Sequence, residues 1–202
     1  MNSHIYEAKT KEAALEMALQ ELNVDKEDLI INKVDEKNSL LKKSVQIEVY
    51  NINEIVSFIK DTISEITKRM NVEANLEVRK RDKSISITIF SDNNSILIGK
   101  QGKNVAALQL LIRQMVNSKL NEPISITLDV GNYKEKRIKS IEALAKRLAR
   151  EAYKTKTEIT MDSMNSYERR IVHSVLSDDK YVYTESTGEE PNRKVVIKLK
   201  GE

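Results

Sequence analysis

The sequence predicts an α/β (α+β) chain made of three small domains, and three observations carry that prediction. Residues 84–90 alternate strictly, Ser84-Ile85-Ser86-Ile87-Thr88-Ile89-Phe90, as a strand with one buried face does. Ile55, Ile59, Ile63, Ile66 and Met70 recur at helical spacing shortly before it. Helical stripes and alternating runs also interchange on both sides of that pair. At 202 residues the chain has room for one or two domains of ordinary size, or three small ones.

The elements come in this order. Residues 3–50 predict a β-α-β-β unit. Thr10 is placed to cap a helix whose apolar face is Leu15, Ala18, Leu19 and Leu22, and Asn23 is placed to end it. Leu29 to Val34 and Val45 to Val49 read as strands. Residues 54–130 predict a helix, a short strand at Leu76 and Val78, and the 84–90 strand. A short apolar turn, Ile96-Leu97-Ile98, and a glycine loop come next. A helix facing inward with Leu108, Leu111, Ile112 and Met115 leads to a strand with Ile124, Ile126, Leu128 and Val130. Residues 133–156 predict a long basic helix with Ile141, Leu144, Ala145 and Leu148 inward. Asn165 with Glu168 three residues on forms a capping box for a helix reaching Leu176. Tyr181 to Thr184 and Lys194 to Leu199 read as strands joined through Gly188-Glu189-Glu190-Pro191.

Composition removes several function classes. Charged residues are 32% and apolar residues 40%, which suits a globular chain. There is no cysteine, hence no disulfide, thiolate nucleophile or thiolate metal ligand. His4 and His173 are the only histidines, and no ligand spacing for a metal accompanies them. The first residues, Met1-Asn2-Ser3-His4-Ile5-Tyr6-Glu7, lack the basic and apolar regions of a secretory signal. No apolar run approaches the ~18 residues of a membrane span. A cytoplasmic protein is expected, with peripheral contact to a membrane complex left open. Net charge is only +3, but residues 1–53 carry −3, residues 54–130 carry +2 and residues 131–202 carry +4. An acidic head on a basic body is compatible with a polyanionic ligand and also with ordinary surface variation.

Two constellations carry chemistry. In Gly99-Lys100-Gln101-Gly102-Lys103 the glycines allow a sharp turn at the start of a helix. The amides there and the helix dipole favour an anion, and Lys100 and Lys103 add positive charge. The segment is neither a Walker A loop, lacking the earlier glycine and the following Ser or Thr, nor a three-glycine dinucleotide fingerprint. A plain connection between helices would use glycines in the same way, and the α-β-β-α-loop-α-β order favours the anion. In the second constellation Arg169 and His173 are i and i+4 and share a helix face, with Arg170 about 100° away. A guanidinium and an imidazole suit a phosphate and a base. An ordinary amphipathic helix with a solvated Arg169 and a partly buried His173 is the competing reading.

The middle segment resembles a KH domain of the prokaryotic topology, in which a Gly-x-x-Gly loop clamps about four nucleotides of single strand. Asn165 to His173 followed by Thr184 to Ile197 resembles the Arg-x-x-x-His domain, which binds single-stranded nucleic acid. With an acidic unit in front, the whole chain is similar to the Jag family, also called KhpB. The resemblance implies domains at 1–52 (Jag N-terminal), 53–131 (KH) and 132–202 (Arg-x-x-x-His with its long helix). It implies an RNA clamp of Ile98, Gly99, Lys100, Gln101, Gly102 and Lys103, an apolar groove including Ile98 and Ile89, and a second contact at Arg169, Arg170 and His173. It implies a non-catalytic protein without cofactor or metal, binding single-stranded RNA or single-stranded DNA, with a regulatory role in gene expression and cell elongation. The implied partners are a second KH protein of the KhpA kind, a second copy of this chain, and a membrane-protein insertase complex. A scaffold acting through residues 1–50 is the alternative, and a nuclease using Arg169, His173 and Glu168 is the least favoured. The chain departs from the family at Lys37-Asn38-Ser39-Leu40-Leu41-Lys42-Lys43, where a turn with glycine and phenylalanine is usual. It also departs at Ser163 and Ser166, where prolines are common, and in a short connection between the first two units.

Overall fold

The computed structural model describes residues 1–39 and 42–201. Its contacts divide the chain into two compact units, Met1–Gly131 and a second from Asn132 onward. The first unit opens with β1 (His4–Ala8), α1 (Lys11–Leu22), β2 (Leu29–Ser39) and β3 (Lys42–Asn51). The strands lie in the order β1-β3-β2, both pairs antiparallel. Thr10 caps α1, its hydroxyl accepting from the Ala13 amide at 3.2 Å, and Asn23 ends it in the left-handed region at φ 49°. Ala14 and Ala18 are fully buried, and these small side chains let α1 close on Tyr6, Ile47 and Val49. Both β2 and β3 run beyond the expected 29–34 and 45–49 because their pairing continues from Asp35–Gln46 out to Ser39–Lys42. Leu40 and Leu41, at the centre of the atypical turn, lie outside the described residues.

No linker separates this three-stranded layer from the next helix. β3 ends at Asn51, whose side-chain oxygen accepts from the Asn53 amide at 2.8 Å and so starts α2 (Ile52–Arg69). Polar contacts tie the layer to the remainder of the unit. Lys80 Nζ donates to Asp28 at 2.8 Å and to Asn53 at 2.6 Å, and Asn121 Nδ2 donates to the Asn32 carbonyl at 2.6 Å. The Lys80 ammonium holds the Asp28 carboxyl below the usual carboxylate range.

The rest of the unit is β4 (Ala74–Arg81), β5 (Ser84–Ser91), α3 (Asn94–Ile98), α4 (Lys103–Asn117) and β6 (Ser125–Val130). β5 is central, antiparallel to β4 and parallel to β6. The register sets Ile85 beside Ile126, Ile87 beside Leu128 and Ile89 beside Val130, all buried. Two expectations are corrected here. Ile89 is wholly buried between strands and cannot line an open groove. Helix α4 turns Val105, Ile112 and Val116 inward, while Leu111, expected inside, is 47% exposed beside Leu110. The inward face carries Gln109 as well, whose side-chain oxygen accepts from the Leu128 amide at 2.9 Å and closes the outer edge of β6.

The second unit contains α5 (Tyr133–Thr155), β7 (Ile159–Thr160), α6 (Ser166–Leu176), β8 (Val182–Thr187) and β9 (Lys194–Leu199). The strands run β7-β9-β8, all antiparallel. The buried stripe of α5 is Ile141, Ala145, Ala149 and Ala152, with Leu144 and Leu148 at its margin. Those alanines let α6 approach closely, and Val172, Leu176, Val182, Val195 and Ile197 complete the core. The two-residue β7 had no signal in the sequence, being too short to show alternation.

Candidate nucleic-acid interface

The glycine loop owes its shape to three positive φ angles. Gly99 sits at φ 69°, ψ −178°, a region that only glycine occupies without strain. Gln101 (φ 55°) and Gly102 (φ 79°) are left-handed. A Cβ on Gly99 would meet Asn104 Cγ at 2.4 Å, so the glycine is required by close packing as well as by its backbone. Asn104 lies over the loop because its Nδ2 donates to the Ile96 carbonyl at 2.8 Å. Sequence reasoning gave this residue no role, although a side-chain amide at a helix start, shortly after a glycine pair, was the available signal.

Gly102 is the N-cap of α4 and brings no side chain to it. The first amides of a fifteen-residue helix therefore lack the side-chain oxygen that caps α1, α2 and α6. Lys100 and Lys103 are exposed beside them, and Ile98 is half-buried. Backbone amides, a helix dipole and two ammonium groups together suit a phosphate.

The second constellation differs from its sequence picture. Arg169 is buried, its side chain only 8% exposed. Its Nη1 donates to the Met164 carbonyl at 2.8 Å and its Nη2 to Glu190 Oε1 at 2.8 Å. The fork thus ties α6 to the chain before it and to the turn between β8 and β9. His173 spans from α6 to β8, with Nδ1 2.6 Å from Thr184 Oγ1 and Nε2 2.9 Å from Ser186 Oγ. Both ring nitrogens are thereby engaged, one donating and one accepting in the neutral ring. Burial lowers the His173 pKa from its ordinary value, and the nearby Arg169 charge lowers it further. Arg170 is exposed, and so is Tyr167 at 62% in the first turn of the same helix.

Glu168 does more than cap α6. It closes the capping box with Asn165 and also accepts from Arg137 Nε at 2.7 Å, joining α5 to the start of α6. Arg137 and Glu190 are the positioning residues that sequence reasoning did not connect to this site. Among the described residues there is no cluster of His, Asp or Glu able to hold a metal ion, and no helix is long and apolar enough to cross a membrane.

Comparison with known families finds two matches. Residues 56–128 match the family described as KhpA/KhpB, KH domain. Residues 139–199 match the family of Arg-x-x-x-His domains, written R-three-H. A protein of Clostridium symbiosum named RNA-binding protein KhpB is 34% identical over 201 residues, covering 96% of this chain and 90% of that one. A Bacillus subtilis protein of the same name is 29% identical over 194 residues, 93% of each chain. One from Lactiplantibacillus plantarum is 31% identical over 140 residues, 69% of this chain and 44% of that one.

Proposed function

This chain belongs to the KhpB (Jag) family, and from that membership we propose that it binds single-stranded RNA, without catalysis, at two sites. The observation that carries the reading is the Gly99–Gly102 loop. Its backbone is one that glycine alone allows at Gly99, it opens a helix that has no side-chain cap, and it is flanked by exposed Lys100 and Lys103. The clamp comprises Ile98, Gly99, Lys100, Gln101, Gly102 and Lys103. The second site lies on α6, where Arg170 meets phosphate while Arg169 and His173 act chiefly by holding α6 to β8 and its turn. Relatives that share nearly the whole chain are named RNA-binding proteins, which supports the same ligand here.

The proposal extends to the division into domains at 1–52, 53–131 and 132–202 and to a cytoplasmic location. It includes regulation of gene expression and cell elongation, with a second KH protein, a second copy or an insertase complex as partners. Family resemblance supports these finer parts, and crosslinking in cells followed by sequencing of bound RNA tests the regulatory one. The clamp is tested with Lys100→Asp combined with Gln101→Asp. Asp tolerates the left-handed backbone at position 101, so the fold should survive while affinity for a single-stranded oligoribonucleotide drops. Gly102→Asp is a poorer test because Gly102 is buried at φ 79° and a side chain there disturbs the loop itself. A folded double variant with wild-type affinity would remove the clamp from the reading.

A further inference from the structure

We propose that Tyr153 and Tyr181 form a stacking platform for a base of single-stranded RNA, a third contact separate from the glycine loop and from α6. The inference rests on the RNA-binding reading and adds a site to it. The two rings come from different elements, the last turns of α5 and the residue before β8, and their centroids are 4.1 Å apart at 31°. Both are open to solvent, Tyr153 at 40% and Tyr181 at 52%. Lys156 Nζ sits 4.4 Å from the Tyr153 centroid, so Tyr153 is engaged on two sides and Tyr181 is the more open ring.

Tyr181 is held firmly. Asp179 Oδ1 accepts from the amides of Tyr181 at 2.9 Å and Val182 at 3.1 Å, and the Tyr181 carbonyl accepts from the Lys200 amide at 2.9 Å. An exposed aromatic ring fixed through its backbone loses little freedom when a base stacks on it. The rings border a cleft of about 550 Å³ whose other walls include Lys156, Lys180, Leu199 and Lys200. A smaller adjoining cleft brings Arg150 and Lys154. Among the described residues, Asp179 is the one acid lining either cleft, and its carboxylate is already turned to the two amides.

The negative end of the α5 dipole accounts for Lys154 and Lys156 at the helix terminus. It does not account for Lys180, which arrives from beyond α6, while Lys200, from the end of β9, donates its Nζ to the Asp179 carbonyl at 2.6 Å and keeps its charge beside the cleft. Five cations around an open aromatic pair match a nucleotide, whose base has a π face and whose flanking phosphates are anionic. Single strand is specified because a paired base cannot leave its stack to reach the ring.

The test uses the full chain and fluorescent oligoadenylate. Tyr181→Ala should weaken binding on the order of 10-fold or more, the loss expected for one stacked base, and Tyr181→Phe should restore most of it. The chain has no tryptophan, so Tyr181→Trp installs a single indole whose emission oligoadenylate should quench. Lys100→Asp with Gln101→Asp is measured alongside. If that pair loses affinity while Tyr181→Ala keeps it and the indole is not quenched, the platform is overturned and RNA binding stands. If the wild-type chain does not bind oligoadenylate or any other single strand, both readings fall. Quenching by anionic phospholipid vesicles and not by oligoadenylate overturns the platform in favour of a membrane surface.

Discussion

Arg169 is a residue whose type suggests a ligand and whose surroundings make it a brace. A guanidinium with an 8% exposed side chain, bonded to the Met164 carbonyl and Glu190, cannot turn to a phosphate without leaving Met164 behind. Arg169→Ala should therefore lower the stability of the second unit by about 2–3 kcal/mol, the range for losing a buried charge-assisted bond and its packing, as urea denaturation would read. A variant of wild-type stability and reduced affinity would restore Arg169 to direct contact. His173 makes a matching prediction. Its pKa is lowered in the fold, first by burial and then by Arg169, so the folded state disfavours its protonation. Its contribution to stability is complete above the unfolded value of about 6.5 and is lost as pH falls through the lower folded value. Denaturation at pH 7 and pH 5 should show wild type losing more stability than His173→Gln over that interval. Equal losses would contradict the neutral, buried role.

Among elements, β5 was readable because every second residue is isoleucine and the strand has one buried face. Helix α4 was not, and the reason lies in its composition. Val105, Ala106, Ala107, Leu108, Leu110, Leu111 and Ile112 put apolar side chains nearly all round the helix, so periodicity does not select a face. The face that packs on the sheet buries Val105, Ile112 and Val116 and leaves Leu110 and Leu111 outside. The same face brings Gln109 to the Leu128 amide at the outer edge of β6. Gln109→Ala strands the Leu128 amide and should destabilise the first unit by about 1–3 kcal/mol. Thermal unfolding with an unchanged midpoint would show that water replaces the glutamine.

Across the whole molecule the charge is small, +3, and unevenly spread, so RNA affinity should depend on a few cations and not on a general field. If Lys100, Lys103 and Arg170 each neutralise one phosphate, they contribute about −2 to the slope of log affinity against log salt, at about −0.7 per contact, and phosphate contacts beside Tyr181 make it steeper. Lys103→Gln should make it shallower by about 0.7, with little change in sequence preference. A slope near zero would argue against phosphate contacts altogether.

The sequence by itself determined the order of elements apart from β7, the inward isoleucines of β5, the caps at Thr10, Asn23 and Asn165, and the glycines at 99 and 102. All of these are local: a period of two, a period near 3.6, a cap three residues from its partner, or a backbone angle that one residue type allows. The tertiary structure alone decided that Arg169 is buried against Glu190, that His173 clips onto Thr184 and Ser186, and that Tyr153 meets Tyr181. These partners lie on different elements, and no repeat along the chain announces which side chains two elements will bring together when their apolar faces pack.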